Sequence, residues 1–315
     1  MVNGTADCGI AAGVQISLNR VPWAVQKSDA FKLVLVSFLW GGQFVAARIA
    51  TAEAPPFAAS FLRYLFAAVT LLIIHLIRER RFCRLSLRQW GWLTLLGLSG
   101  VFLYNLFFFS ALAIAPAGRS SVVVAMTPTV VSVASIIFFK DRFSILRVLG
   151  LVIALFGVSW AISGGDLPSL LRGEIGRGDL YIFGAMLSWA TFSIIGKIIL
   201  RELSPRLAIT YACLIGTVAL AIPAVLEGGL AGIPQYSLKM WLSLAYLGLM
   251  GTVLAFILYY QGIKSIGPSK TAIFVNLVPI WAMSLGTVVL GERITLSLIL
   301  GAGMVVGGVF LTSRS

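Results

Sequence analysis

Arg63 sits in the run ASFLRYLFAAV, which holds no other charge. A guanidinium at the centre of a bilayer costs about 2.5–3.5 kcal/mol on insertion scales, so it must meet water, a partner or a ligand. Two readings follow. Arg63 is the counter-charge for a substrate carboxylate, or it is a structural group that bonds backbone carbonyls or snorkels outward. Gln43, Asn105 and Asn276 are further polar side chains deep in apolar runs. Each can hydrogen-bond a polar ligand, and each can equally bond from helix to helix. Trp40 and Trp189 lie too deep in their runs for an interfacial belt. Their faces can stack on an apolar or aromatic ligand or simply pack, and the same holds for Tyr104, Tyr259 and Tyr260. Pro128 and Pro279 each remove a backbone donor in mid-run. The resulting kink is either a hinge that gates or a fixed bend that shapes a cavity. His75, near the end of its run, is either a proton relay or an interfacial side chain.

Other chemistry is argued against by what the runs lack. All eleven acidic residues lie in loops, tails or run ends, so no buried carboxylate is available for proton coupling. The single histidine and the three scattered cysteines, Cys8, Cys83 and Cys213, offer no metal-ligand spacing and no disulfide framework. No metal and no cofactor is expected. No nucleophile with a base converges, which disfavours a membrane enzyme. GAGMVVGG (301–308) superficially resembles a dinucleotide fingerprint, but no strand precedes it. Gly303 and Gly307, four apart, are expected to mark close helix packing.

The elements that position these residues are set by composition. The chain has 315 residues, 59% hydrophobic and 11% charged, with a mean hydropathy of +0.99. Soluble domains average about 25% charged residues, so the solvent for most of this surface is lipid. The net charge of +13 is dispersed between apolar runs, which argues against a nucleic-acid partner. Ten runs are long enough to cross the roughly 30 Å hydrocarbon layer as helices: 31–50, 56–77, 90–113, 116–139, 145–163, 179–200, 206–226, 239–262, 268–290 and 295–313. Strand alternation is absent, and helices close their own backbone hydrogen bonds in lipid. Placing both termini in the cytoplasm puts seventeen Lys and Arg on cytoplasmic segments and six on outer ones, the bias that orients bilayer proteins. Residues 1–30 lack a signal-peptide pattern and read as a cytoplasmic lead-in.

The chain also repeats itself. The charged turn FKDRFS (139–144) recurs as LGERIT (290–295), and at an offset of 151 residues 96–123 lie over 247–274. Gly97 and Gly100 fall on Gly248 and Gly251, Pro128 on Pro279, and Gly150 and Gly157 on Gly301 and Gly308. At an offset of 149 Trp40 falls on Trp189 and Arg48 on Lys197, while the second spans match poorly. Each copy has five spans. Five is odd, so the second copy enters the membrane upside down. The organisation predicted is a first repeat at 31–163, an outer linker at 164–178 and a second repeat at 179–313. Inverted repeats that exchange unequal conformations give alternating access around a central site.

These features together are an early Trp in each repeat (FLWGGQFVAAR, MLSWATFSIIGK), the pair APAGRSSVVVAMTPTVV and IGPSKTAIFVNLVPIWA with its mid-span proline, an acid-Arg turn, and glycine-rich last spans LGLVIALFGVSW and LGAGMVVGGVFL. In this order, twice, they resemble the drug/metabolite transporter superfamily, specifically the EamA-type exporters with two EamA domains. The resemblance implies an all-α integral membrane fold of ten helices as two inverted repeats, with the first four helices of each lining a cavity and the fifth and tenth peripheral. It implies an inner-membrane exporter of small metabolites, amino acids or related compounds, as monomer or homodimer. An importer or exchanger of sugars or organic acids with the same fold is the alternative. The expected substrate-contacting residues are Trp40, Gln43, Arg63, Tyr104, Asn105, Trp189, Tyr260 and Asn276, with Pro128 and Pro279 as hinges.

Overall fold

The computed structural model describes residues 27–79, 85–139, 144–171, 175–266, 271 and 274–313. Every span whose residues are described is helical. The first four are Lys27–Thr51, Pro56–Glu79, Leu87–Ile114, and a broken helix made of Ala117–Val124 and Thr127–Phe139. The fifth is Ile145–Ile162, the sixth Arg177–Ile199 and the seventh Pro205–Leu226. The eighth runs Leu238–Ala245, Tyr246–Leu254 and Ala255–Ile266, the ninth ends in Val278–Leu290, and the tenth is Leu296–Ser313. Eight of these are long and apolar enough to cross a membrane, and two shorter apolar helices take the ninth and tenth places. The outer surface carries large apolar side chains such as Ile73, Val152, Val218 and Val288, as a lipid-facing surface requires. The protein is a multi-span membrane protein.

The duplicated sequence has duplicated local structure. Third and eighth spans each contain a π-helical stretch, Leu98–Leu103 and Tyr246–Leu254. Fourth and ninth spans are each broken by a two-residue turn, Ala125–Met126 and Asn276–Leu277. Pro128 and Pro279 stand just after these breaks, in the first turn of the following helix, where a missing N–H is tolerated. The prolines therefore begin new half-helices; they do not kink continuous ones. Pro128 has no N–H to give the Val124 carbonyl, and the Thr127 hydroxyl donates to that oxygen at 2.6 Å. In the second repeat Val278 takes the place of Thr127 and offers no such donor. Thr127→Val is expected to cost about 1 kcal/mol of stability, read as a lower melting temperature in detergent.

Contacts between the repeats obey the same symmetry. A Cβ on Gly157 would lie 2.7 Å from the Gly301 carbonyl, and one on Gly150 would lie 2.5 Å from the Gly308 carbonyl. These two contacts exchange under the 151-residue offset. They form a glycine seam along which the fifth and tenth spans pack. Gly303 and Gly307 do not take part: a Cβ on either meets nothing within 4 Å. The expected packing role belongs instead to Gly301 and Gly308, which are on the opposite side of the helix. Gly157→Leu is expected to cost more than about 1–3 kcal/mol, the usual range for overpacking, because backbone atoms cannot withdraw. Gly303→Ala should be close to neutral. Yields of monodisperse protein in detergent compare the two.

Candidate functional site

Glycines let three helices converge on Arg63. A Cβ on Gly248 would stand 2.7 Å from the Arg63 carbonyl, and one on Gly251 would stand 2.6 Å from Cγ of Gln43. The second and eighth spans thereby approach to backbone contact, the Gln43 side chain of the first packs on Gly251, and the third closes the far side. The guanidinium is 3% exposed. Its Nη1 donates to the Asn105 side-chain oxygen at 3.0 Å. Its Nη2 donates to the Gln43 side-chain oxygen and, at 3.1 Å, to the Thr252 hydroxyl. Its Nε is buried without a partner. The rings of Tyr64 and Phe109 lie 5.0 and 6.0 Å from the guanidinium carbon, within cation–π range.

The acceptors are themselves fixed. The Asn105 amide donates to the Val101 carbonyl at 2.7 Å, and the Gln43 amide to the Gly251 carbonyl at 3.0 Å. Thr252 donates to the Leu247 carbonyl at 2.9 Å, five residues back, a bond that belongs to the π-helical stretch. Every partner of the cation is neutral. The described ion pairs are Lys32–Asp29, Arg48–Glu292, Arg88–Glu202 and Arg119–Asp179, and none includes Arg63. The buried charge is held by dipoles alone among its described contacts.

Beside the cage runs a wall of rings. The Trp40 indole donates to the Gly251 carbonyl at 3.1 Å, the oxygen that Gln43 also uses. Its ring meets Tyr259 at 5.1 Å and Phe256 at 5.8 Å. Phe256 meets Trp189 at 6.1 Å, and Trp189 meets Tyr104 at 5.0 Å. The two equivalent tryptophans are thus bridged by Phe256. Gln43, Trp40, Tyr104, Trp189, Phe256 and Tyr259 are all half-buried, and the cage and wall draw on both repeats.

Six of the eight expected contact residues, Trp40, Gln43, Arg63, Tyr104, Asn105 and Trp189, fall in this cage and wall. Asn276 is elsewhere: 9% exposed, it forms the turn that breaks the ninth span. The side chain of Tyr260 lies outside the described residues. His75 is fully buried, with its ring edge-on to Tyr211 at 6.3 Å, so the interfacial reading of it is wrong. Thr252 and Phe256 were not anticipated. Their signal was present, since both stand in the repeated third-span segment, at positions where the first repeat has Val101 and Asn105.

A second polar cluster lies at one end of the bundle. Gly291, at a φ of 68°, ends the ninth span in the left-handed conformation, the usual glycine cap. It turns Glu292 back across the repeat boundary. There Glu292 accepts from the backbone N–H groups of Ala117 and Gly118 at 2.8 and 3.1 Å, the start of the fourth span. It also pairs with Arg48 Nε at 3.4 Å, while Arg48 Nη1 donates to the carbonyls of Leu112 and Ala115. Nearby Arg119 makes a bidentate pair with Asp179. The partner turn of LGERIT, residues 140–143, lies outside the described residues. An open cleft of about 290 Å³ lies past Arg48 at this end, between Glu53, Ala113, Lys239 and Leu290.

One pair of contacts can be compared between the two ends. Glu53 accepts from the N–H of Ser237 at 2.9 Å and from its hydroxyl at 2.6 Å. Its counterpart at the 149 offset, Glu202, accepts from Gln89 at 3.3 Å and stands 3.8 Å from Arg88. Of these two described ties, the Glu53–Ser237 one has the shorter bonds; at the other end Ser265 also donates to Asp29 across the repeats. The two Ser237 bonds hold the Glu53 carboxyl below the usual carboxylate range. A lowered folded-state value means that this tie contributes above the ordinary carboxylate pKa and is lost as pH falls through the lowered one. Acidification below about pH 4 is therefore expected to lower the melting temperature of the native protein more than that of Glu53→Gln.

A helical membrane protein built twice in opposite senses, with polar groups gathered where the copies meet, has the construction of a transporter. The chain belongs to the EamA-like transporter family, whose profile matches residues 28–163 and 176–314. The uncharacterized transporter YyaM of Bacillus subtilis is 28% identical to it over 88% of this chain and 90% of its own length. An uncharacterized transporter of Archaeoglobus fulgidus is 27% identical over 89% of this chain and 96% of its own. A solved structure, described only as a crystal structure of protein, superposes with a TM-score of 0.61 at 20% identity, covering 91% of this chain and 99% of its own, which is a likeness of fold.

Proposed function

We propose that this protein is a secondary transporter that carries small carboxylate-bearing metabolites, amino acids or related compounds, out of the cytoplasm across the inner membrane. The observation that carries the reading is Arg63: a buried cation whose Nε–H has no partner and whose described acceptors are all neutral, set where the two repeats meet. A substrate carboxylate supplies the missing charge. Both termini lie in the cytoplasm, and the Glu292 end faces outward. The Glu292 and Glu53 ties across the repeats there hold that end together. Exchange of conformations between the repeats then opens it and closes the other end, with the breaks before Pro128 and Pro279 as the points of bending. The outward direction follows the resemblance to EamA-type exporters.

The test is efflux from liposomes reconstituted with the purified protein, across a panel that begins with neutral and aromatic amino acids and extends to organic acids and sugars. Saturable efflux of carboxylates, but not of neutral sugars, is the expected result. Efflux of sugars alone would overturn it. Labelling of cysteines placed at positions 141 and 292 in intact cells tests the orientation, since the two should react from opposite sides.

A further inference from the structure

The pseudo-twofold axis relates two slots that are alike in backbone and opposite in chemistry. Gln43 stands on Gly251, and its 149-offset counterpart Phe192 stands on Gly100, with a Cβ there falling 2.0 Å from the Phe192 ring. Gly248 approaches the carbonyl of Arg63, and its counterpart Gly97 approaches that of Ala212 at 2.8 Å. The structure therefore pairs Arg63 with Ala212, in agreement with the 149 offset. At the 151 offset Asn105 is matched by Phe256 and Thr252 by Val101. The four polar members of the cage thus become two phenyl rings, a methyl and an isopropyl group in the other half. One pole of the site is cationic and hydrogen-bonding. The other is aromatic and apolar.

The charge count is equally one-sided. No Asp or Glu occurs within the core of any span, so nothing at the depth of Arg63 offers a counter-ion to an ammonium group. A zwitterion bound at the cage would leave the buried charge at +1, with its ammonium held near a guanidinium. A monoanion brings the site to neutrality, which burial in a low dielectric favours. Gln43 is half-buried, whereas Arg63 is 3% exposed. An entering carboxylate takes over the guanidinium donors that Gln43 occupies.

We infer that the substrate is a monoanionic carboxylate without an ammonium group, carrying an apolar body about the size of a ring. The carboxylate is bound by Arg63, and the body lies over the Trp40–Phe256–Trp189 wall towards Phe192. This rests on the carboxylate-transport reading above and narrows its substrate class.

The experiment measures binding to the purified full chain by quenching of tryptophan fluorescence, and counterflow in liposomes. The probes are 3-phenylpropanoate (monoanion), L-phenylalanine (zwitterion) and acetate (monoanion without a body). 3-Phenylpropanoate is expected to bind at least tenfold more tightly than either of the others. Asn105→Asp places a carboxylate against the guanidinium with little change of shape, and should abolish the preference for 3-phenylpropanoate over L-phenylalanine. Phe192→Gln should reduce the advantage of 3-phenylpropanoate over acetate while leaving acetate unchanged. If L-phenylalanine binds as tightly as 3-phenylpropanoate and depends on Arg63, the monoanion inference falls and the carboxylate site stands. If Asn105→Asp folds, judged by size exclusion, and keeps the preference, the inference also falls. If no carboxylate binds, or binding survives Arg63→Gln unchanged, the carboxylate-transport reading falls with it.

Discussion

Arg63→Ala is expected to reduce carboxylate efflux by about a hundredfold or more while the protein still inserts in the membrane. Hydrogen bonds to a charged group contribute about 1.5–3 kcal/mol each, and a bound carboxylate would use at least two guanidinium donors, so the loss compounds. The substitution also removes a buried cation, which the fold bears as a cost; stability should therefore fall less than transport does. Arg63→Lys separates charge from geometry. An ammonium keeps the charge but cannot reach Asn105, Gln43 and Thr252 in one plane as the guanidinium does, so an intermediate rate is expected. Initial efflux rates, normalised to reconstituted protein, measure both. Unchanged kinetics in Arg63→Ala would remove Arg63 from the substrate path and leave it a structural tie.

Much of this arrangement was legible in the sequence, for a physical reason. A charged or amide side chain in a twenty-residue apolar run has no solvent of its own, so its presence announces a polar interior. That logic found Arg63, Gln43 and Asn105. The duplicated glycines were equally informative, because only glycine leaves room for the Arg63 carbonyl at Gly248 and for the Gln43 side chain at Gly251. The logic failed where the signal is not a residue type but a direction. Gly303 and Gly307 have the spacing of a packing motif yet face away from the seam that Gly301 and Gly308 form. His75 stands near a span end by position but is turned into the bundle. The 149 offset sets Arg63 on Ala212, two unlike residues, and the carbonyls that Gly248 and Gly97 meet give that pairing a structural basis.

Glu292→Gln is expected to open the end of the bundle that Glu292 ties. The carboxylate meets two demands at once: it caps two N–H groups at the start of the fourth span and pairs with Arg48. An N-cap contributes about 0.5–2 kcal/mol, and a charge at a helix N-terminus about 0.3–1 kcal/mol. Together these amount to about 1–3 kcal/mol, or roughly a 5- to 150-fold shift in the balance of two conformations. Because both contacts cross between the repeats, their loss favours the conformation in which the repeats have separated there. Ala47 is fully buried on the first span beside Arg48, so a cysteine at that position, in a protein whose own cysteines are replaced, reports the opening. Its reaction with a membrane-impermeant thiol reagent should accelerate severalfold in Glu292→Gln and stay unchanged in Glu202→Gln, whose contacts belong to the other end. Arg48→Gln should produce much of the same acceleration, and the double substitution little more than either alone, since the two side chains serve one tie. An acceleration that is additive, or absent, would mean that Glu292 caps its helix without governing which end of the transporter is open.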